Sequence, residues 1–240
     1  MPKIKDFPDT GVVYAFSIRS DGNMSLRYGN TENSLNNRKN FLGGLGINYK
    51  DLICVQQIHG NQTRYATGKD KARGALTYES AIADTDALVT DRKNLPLAVF
   101  TADCLPIFLY DPQTPAIGLV HAGWRSTQEN IVTVAIQLMQ EEFNTRVKDL
   151  CVGFAPAIRE CCYEVEEDFK KFFLIGISER NSRYYLDLIR INKKQILDLG
   201  LKENNIFDSG ICTVCNNKDY FSYRKENEAS GRMMSVMMLR

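Results

Sequence analysis

The sequence predicts a mixed α/β (α+β) fold, a single-domain mixed-sheet sandwich with flanking helices that spans residues 1–240. Four β-rich apolar runs follow one another in the middle of the chain, at residues 86–90, 95–104, 106–111 and 116–123. An amphipathic helical stretch comes soon after the last of them. The elements are neither a strict alternation of strand and helix nor all strand, and no Pro/Ser-rich linker or internal repeat divides the chain.

The first half of the chain is predicted to be mostly strand. Residues 11–19 (GVVYAFSIR) form the first predicted strand, and a short helix begins near Ser34 and ends at Gly43-Gly44. Residues 52–58 (LICVQQI) form a strand that ends at His59. The four central runs are broken by Pro and Asp, which favours strands buried on both faces.

The clearest helix signal lies just after the segment GLVHAGWRST. Ser126 and Glu129 have the spacing of a capping box. A buried stripe of apolar residues follows at helical spacing: Ile131, Val134, Ala135, Leu138 and Met139. We therefore expect His121 at the end of a buried strand and residues 123–125 in the strand-to-helix turn, a place where α/β sheets bind ligands.

The last third of the chain is predicted to mix strands and helices. Residues 150–156 and 233–239 have the composition of strands, and residues 165–174 and 187–199 that of helices.

Composition narrows the classes of function. The net charge is +1, which gives no electrostatic reason for nucleic acid or an anionic membrane as the main partner. No apolar run approaches the roughly 20 residues of a membrane span, and the N-terminus lacks the apolar core of a secretory signal. Seven irregularly spaced cysteines indicate reduced thiols or metal ligands. We expect a cytoplasmic protein.

Three residues that can bind a metal share one sequence context. His59, Cys104 and His121 each lie at the end of a predicted strand, and His59 and His121 are the chain's two histidines. Two imidazoles and one thiolate make a three-ligand zinc site with a free fourth position, which is typical of catalytic sites. Hydrogen-bonded core histidines and a small buried cysteine are the alternative. The metal site is favoured because the chain has only two histidines and both lie at the end of a predicted strand.

Seven segments, in order along almost the whole chain, resemble the YfiH-like laccase-domain family, also called the polyphenol oxidase family. They are QQIHG, DTDALVT, LAVFTADCLPIFLYDP, GLVHAGWRST, AIRECCYEV, YFSYRKE and GRMMSVMML. The resemblance implies a mixed α/β sandwich, a zinc site at His59, Cys104 and His121, and the activities purine nucleoside phosphorolysis and adenosine deamination. The chain has Ser126 where the family has glycine, and Ala155 where it also has glycine.

The number of histidines argues against a multicopper oxidase. A multicopper laccase needs a mononuclear copper site and a trinuclear cluster, and two histidines cannot build both. A single His₂Cys copper site remains chemically possible, but zinc is the expected metal.

Three arginines are candidate ligands for phosphate or substrate, because the guanidinium fork fits phosphate oxygens. Arg38 and Arg224 lie in segments that resemble family motifs, and Arg125 lies at the strand-to-helix turn. Surface or structural arginines are the alternative reading. Trp124 is expected either to stack on a purine or to pack over the turn, and the same two alternatives apply to Tyr223. Asp103 is a weak general-acid candidate, because strand alternation points it away from Cys104.

The remaining cysteines give a weaker signal. Cys212 and Cys215 form a C-x₂-C pair, and Cys161 and Cys162 are adjacent. Adjacent cysteines rarely serve as a ligand pair and no second C-x₂-C exists, so a second zinc site is not expected. Cys54 and Cys151 are expected in the core.

The three candidate ligands, together with the activities that the family resemblance implies, predict a zinc-dependent purine nucleoside enzyme with His59, Cys104 and His121 as catalytic residues. It would convert adenosine, inosine, guanosine or methylthioadenosine and phosphate to free base and the ribose 1-phosphate, with adenosine deaminase activity. The alternatives are a cysteine hydrolase or amidase with Cys104 as nucleophile, suited to editing cell-wall peptide precursors, a copper-dependent phenol oxidase, and a non-enzymatic binding protein. Expected partners are small molecules, and the oligomeric state stays open.

Overall fold

Thirteen strands form three sheets in the computed structural model, which describes residues 3–240. The strands are β1 (Val12–Phe16), β2 (Ile53–Cys54), β3 (Thr63–Tyr65), β4 (Ala87–Thr90), β5 (Leu97–Thr101), β6 (Leu105–Asp111), β7 (Ala116–Ala122), β8 (Cys151–Phe154), β9 (Glu164–Val165), β10 (Ile177–Arg180), β11 (Arg183–Leu186), β12 (Ile206–Asp208) and β13 (Met233–Leu239). The α-helices are α1 (Thr31–Gly43), α2 (Trp124–Gln128), α3 (Ile131–Phe143), α4 (Leu188–Asp198) and α5 (Tyr223–Glu226).

Both large sheets mix parallel and antiparallel pairs. The four-stranded sheet has the order β1-β13-β5-β2, with β2 and β5 parallel. The six-stranded sheet has the order β12-β8-β6-β7-β4-β3, with parallel pairs at both edges and antiparallel pairs in the centre. The small third sheet, β10-β11-β9, is antiparallel. The predicted mixed-sheet class is confirmed.

The two large sheets pack face to face. Val12 and Leu97 of the four-stranded sheet share one core with Phe108 and Leu119 of the six-stranded sheet. The outer face of the six-stranded sheet packs on α3 and α4, and the outer face of the four-stranded sheet packs on α1. All seven residues of β6 and all seven of β7 are buried. Burial on both faces accounts for the continuous apolar runs in the sequence.

The strand predicted at residues 52–58 is shorter than expected. β2 ends at Cys54, and beyond it the side chain of Gln57 takes the place of a neighbouring strand. The Gln57 amide donates to the Phe100 carbonyl at 2.8 Å and accepts from the Phe100 N–H at 2.8 Å. The backbone is therefore free to turn away, and His59 lies in a loop rather than at a strand end.

The helix after β7 also differs from the prediction. α2 begins directly after Gly123, so Ser126 lies inside this helix and does not cap it. Asn130 then adopts a left-handed conformation, with φ 58°, which separates α2 from α3. The predicted capping box is wrong because the short α2 starts two residues before Ser126.

The rest of α3 largely follows the predicted stripe. Ile131, Ala135 and Met139 are buried, together with Val132, Ile136 and Phe143, whereas Val134 and Leu138 are half-buried. The helix predicted at 165–174 is reduced to a 3₁₀ turn at Glu167–Lys171, and the helix at 187–199 is confirmed as α4.

Within residues 3–240, no helix is both long and apolar enough to cross a lipid bilayer.

Candidate metal centre and active-site pocket

The two histidines and Cys104 converge on one point. His121 lies near the end of β7, opposite Pro106 of the antiparallel β6, and Cys104 directly precedes β6. His59 approaches from the loop after β2, and its ring lies 4.8 Å from that of His121, centroid to centroid. One ligand atom from each of the three residues lies within 4.8 Å of the others. The sequence thus predicted the convergence, although only His121 lies in a strand.

The turn that carries Cys104 is held by its neighbour. β5 ends at Thr101, and Asp103 has a left-handed backbone with φ 96°. The Asp103 carboxylate accepts hydrogen bonds from the Thr213 hydroxyl at 2.6 Å, the Ser222 hydroxyl at 3.1 Å and the Arg224 N–H at 2.7 Å. Because three donors occupy these oxygens, Asp103 positions the turn and is a poor candidate for the general acid.

Asp86 contacts both histidines of the cluster, and sequence reasoning missed it. Its carboxylate is fully buried and accepts from His121 Nδ1 at 2.7 Å. It also accepts the backbone N–H groups of Ile58 at 3.1 Å, His59 at 3.0 Å and Gly60 at 3.0 Å. One carboxylate therefore orients the His121 ring and holds the loop of His59. The D-T-D segment before β4 was the available signal, but nothing in its spacing linked it to either histidine.

The electrostatics of the cluster favour an ionised thiol. Burial alone would raise the pKa of Cys104, but the imidazoles of His121 and His59 outweigh it and lower that pKa to about 6. Burial lowers the pKa of His121, whereas Cys104 and Asp86 raise it, with a net result of about 9. Imidazoles remote in sequence therefore lower the pKa of Cys104, an effect that its sequence neighbours alone did not indicate.

The cluster fits a metal ion. It offers two imidazole nitrogens and one thiolate, and the Asp86 bond to His121 Nδ1 leaves Nε2 to face the other two ligands. His121 is buried, Cys104 half-buried and His59 exposed, and all three border one cavity. Three protein ligands beside an open cavity match a catalytic zinc site, and the same donors can also bind copper.

Gly123 gives a test of how closely the site is packed. Its φ of −78° suits any residue, but an added Cβ would lie 2.9 Å from His59 Cδ2 and 3.3 Å from Cys104 Sγ. We expect Gly123→Ala to displace His59 and lower zinc affinity by about tenfold, the lower end of what disturbed supporting groups cost. Competition with a zinc chelator measures it.

Gly43→Ala is the matched control, because a Cβ at this end of α1 meets nothing within 4 Å. It should leave zinc affinity unchanged and add at most about 1 kcal/mol of stability. Equal zinc affinity in both variants would mean that Gly123 does not constrain the ligands.

The cavity beside the cluster has a volume of about 490 Å³, within the range of small-molecule sites. Five arginines line it: Arg27, Arg38, Arg125, Arg224 and Arg232. Among the described residues, Asp103 is the one acidic side chain in that lining, and its oxygens are already bonded. The pocket is therefore strongly cationic, although the whole chain carries a net charge of only +1.

Arg38 is the most buried of the five, with 2 % of its surface exposed. Its Nε donates to the Met24 carbonyl at 2.8 Å, and its Nη1 donates to the carbonyls of Gly74 and Ala75, both at 3.0 Å. The guanidinium also lies 4.7 Å from the centre of the Phe100 ring. No carboxylate of residues 3–240 pairs with it, so a fixed and uncompensated positive charge borders the cavity.

The structure places the other predicted arginines in the same lining. Arg125 is exposed and stacks on Trp124, with its guanidinium 4.3 Å from the ring centre. Arg224 Nη1 donates to the Glu164 carbonyl at 2.9 Å. Arg27 and Arg232 also line the cavity but were not among the predicted residues: Arg27 lies in none of the seven family-like segments, and Arg232, although it lies in GRMMSVMML, was not singled out there.

Aromatic rings complete the lining. Trp124 packs on Phe169 at 4.9 Å and on Phe172 at 5.9 Å between ring centres, in agreement with the packing alternative, and it also borders the cavity. Tyr223 borders the cavity as well and is 48 % exposed.

A mixed α/β sandwich with a His₂Cys cluster in the lining of a cationic pocket defines a class of candidate metalloenzymes. The sequence profile of the family described as multi-copper polyphenol oxidoreductase laccase matches residues 14–240. The chain belongs to this family.

Relatives whose names state an activity are similar to this chain over most of their length. A protein named purine nucleoside phosphorylase YlmD from Geobacillus stearothermophilus is 30% identical over 90% of this chain and 82% of its own. A purine nucleoside phosphorylase of Clostridium acetobutylicum is 33% identical over 94% of this chain and 96% of its own. Adenosine deaminase RL5, from an unknown prokaryotic organism, is 32% identical over 78% of this chain and 75% of its own. These names indicate that the chain is an enzyme.

The fold agrees with solved structures. The crystal structure of YlmD from Geobacillus stearothermophilus superposes with a TM-score of 0.92 at 29% identity and covers 96% of this chain and 92% of that one. A Bacillus licheniformis hypothetical protein, YfiH, gives a TM-score of 0.91 at 28% identity, over 96% of this chain and 94% of that one.

Proposed function

We propose that this protein is a zinc-dependent purine nucleoside phosphorylase that also deaminates adenosine. The observation that supports it most is the juxtaposition of the His59, Cys104 and His121 cluster with a cavity lined by arginines and aromatic rings. The names of the relatives agree with this chemistry.

His59, Cys104 and His121 would hold the ion, with Asp86 fixing the ring of His121 and the loop of His59. When bound, zinc supplies a Lewis acid that stabilises negative charge. Zinc is preferred to copper because two histidines suffice for one site but not for the several copper sites of a laccase.

Phosphorolysis needs a bound phosphate near the sugar. A phosphate oxygen forms a bond to C1′ of the ribose while the C1′–N9 bond breaks, and the purine leaves with the bonding electrons and takes up a proton. The arginines of the lining supply the positive charge that holds the phosphate dianion. Arg38 is buried and Arg125 is exposed, and both belong to this lining, so each can donate to a phosphate oxygen there.

The purine base needs flat apolar surfaces on which it can stack. Six aromatic side chains border the cavity: Tyr28, Tyr78, Phe100, Trp124, Tyr163 and Tyr223. Burial raises the pKa of Tyr163 above its ordinary value, so its phenol stays protonated and can donate a hydrogen bond to the ligand. For deamination the same pocket would hold adenosine, with water in place of phosphate.

One observation favours a second candidate, the cysteine hydrolase. Cys104, His121 and Asp86 follow the order of nucleophile, base and orienting carboxylate. A thiolate engaged with a metal ion is not free to attack a substrate, so metal content separates the two functions.

The test is a panel of adenosine, inosine, guanosine and methylthioadenosine, incubated with zinc-loaded protein with and without phosphate. Chromatography should show free base and the corresponding ribose 1-phosphate when phosphate is present, and inosine from adenosine in either case. A panel with no turnover, together with hydrolysis of peptide amides, would favour the second candidate.

The variant Arg38→Lys tests whether Arg38 binds phosphate rather than the nucleoside. Lysine keeps the charge but loses the fork that serves three backbone carbonyls, so both stability and phosphate binding should fall. We expect kcat/KM for phosphate to drop by about tenfold or more, in line with about 1.5–3 kcal/mol for a charged hydrogen bond, and deamination to change less.

Initial rates at varied phosphate concentration measure this effect, and thermal unfolding confirms that the variant folds. Arg64→Lys, on the exposed edge strand β3, is the control and should leave both activities intact. Equal loss of phosphorolysis and deamination in Arg38→Lys would assign Arg38 to the nucleoside or the fold instead.

A further inference from the structure

A second group of cysteines lies outside the pocket. Cys161 and Cys162 lie in the turn between β8 and β9, and Cys212 and Cys215 lie in the turn after β12. All four sulfurs lie within 4.8 Å of one another, with 3.6 Å between Cys161 and Cys215 and 3.4 Å between Cys162 and Cys215. The sequence argument against this group was that adjacent cysteines rarely share a site. The turn at 159–163 nevertheless brings both sulfurs to one place.

The geometry is that of a tetrahedral metal site. Sulfurs bound to one zinc ion at about 2.3 Å lie about 3.8 Å apart, close to the spacing of this cluster. Four sulfur donors select zinc or an iron–sulfur centre over hard cations.

We propose that Cys161, Cys162, Cys212 and Cys215 bind a second zinc ion with a structural role. Four protein ligands leave no open position for a substrate, in contrast to the three-ligand cluster of His59, Cys104 and His121.

The surrounding contacts show what such an ion would hold together. Arg159 pairs with Asp208, which joins the turn at 159–163 to the end of β12. Arg224, in the pocket lining, donates to the Cys162 carbonyl at 3.4 Å. An ion at the four cysteines would therefore fix the wall of the pocket that carries Tyr163 and Arg224.

Metal stoichiometry tests the proposal without any assay of activity. Protein purified under reducing conditions, saturated with zinc and freed of excess metal should contain about two zinc ions per chain. Cys215→Ser and Cys161→Ser should each retain one. His59→Ala should also retain one, because it removes only the other site. Cys151→Ser, a half-buried cysteine in neither cluster, is the control and should retain two.

Cobalt(II) bound to His59→Ala identifies the remaining site directly. Four-thiolate coordination gives intense sulfur-to-cobalt charge-transfer bands and the visible bands of tetrahedral cobalt, and the double variant His59→Ala/Cys215→Ser should lose both. The proposal is overturned if reduced wild-type protein binds no more zinc than Cys215→Ser. It is also overturned if the intact mass shows a disulfide among these cysteines that persists in reductant. Neither result bears on the nucleoside activity, which depends on the other cluster.

Discussion

Cys104→Ser is expected to lose bound zinc from the three-ligand cluster and nucleoside turnover together. Serine resists deprotonation and zinc prefers the softer thiolate, so one of three ligands is removed. The loss of kcat/KM should exceed about 100-fold, because even groups that only support ligands are worth about 10–100-fold. Elemental analysis and the phosphorolysis rate, measured on one preparation, test the coupling.

Two further variants show whether the loss of zinc and turnover is specific to the ligands of the three-residue cluster. His59→Ala should behave like Cys104→Ser, since each removes one ligand of the same ion, whereas Cys151→Ser should keep metal and activity. A Cys104→Ser protein with full zinc and no turnover would instead identify Cys104 as a nucleophile. In that case a thiol alkylator should also inactivate metal-free wild-type protein, and His121 would act as the base.

Asp86→Asn is expected to have the next largest effect. An amide oxygen can replace one carboxylate oxygen, but the amide nitrogen then faces donors. If the amide nitrogen faces the His59 N–H and His121, it donates to His121 Nδ1. The imidazole of His121 must then carry its proton on Nε2, and Nε2 can no longer bind a metal. If the amide nitrogen faces Ile58 and Gly60, two backbone N–H groups lose their acceptor.

Either orientation should lower zinc affinity and kcat/KM by about 10–100-fold and stability by about 1–3 kcal/mol. Chelator competition, rates and thermal unfolding provide the measurements. Asp84→Asn, two residues earlier and exposed, is the control, because asparagine also accepts its left-handed φ of 48°. Unchanged zinc affinity in Asp86→Asn would refute the orienting role.

The central strands were predictable because they are buried on both faces. β13 has the predicted bounds, and β4, β6 and β7 agree within one residue, since their apolar runs reflect burial. The convergence of the two histidines with Cys104 was also predictable from their repeated context.

The supporting groups were not predictable, because long-range contacts determine them. The loop of His59 depends on hydrogen bonds to Asp86, 27 positions further along, and on the Gln57 side chain that pairs with Phe100. The cysteine pairs 161–162 and 212–215 meet only because two remote turns approach each other. Spacing along the chain does not reveal such contacts. It likewise did not indicate that Arg27 and Arg232 line the pocket.

The most direct test of the central claim is phosphorus NMR of zinc-loaded protein with adenosine and inorganic phosphate. We predict that part of the inorganic phosphate signal is replaced by that of ribose 1-phosphate, in an amount equal to the total free base released, which is adenine plus any hypoxanthine formed through deamination. Removal of the metal should stop the conversion, and added zinc should restore it. Release of adenine without consumption of phosphate, or no reaction of the zinc-loaded protein with any nucleoside of the panel, would contradict the proposed function.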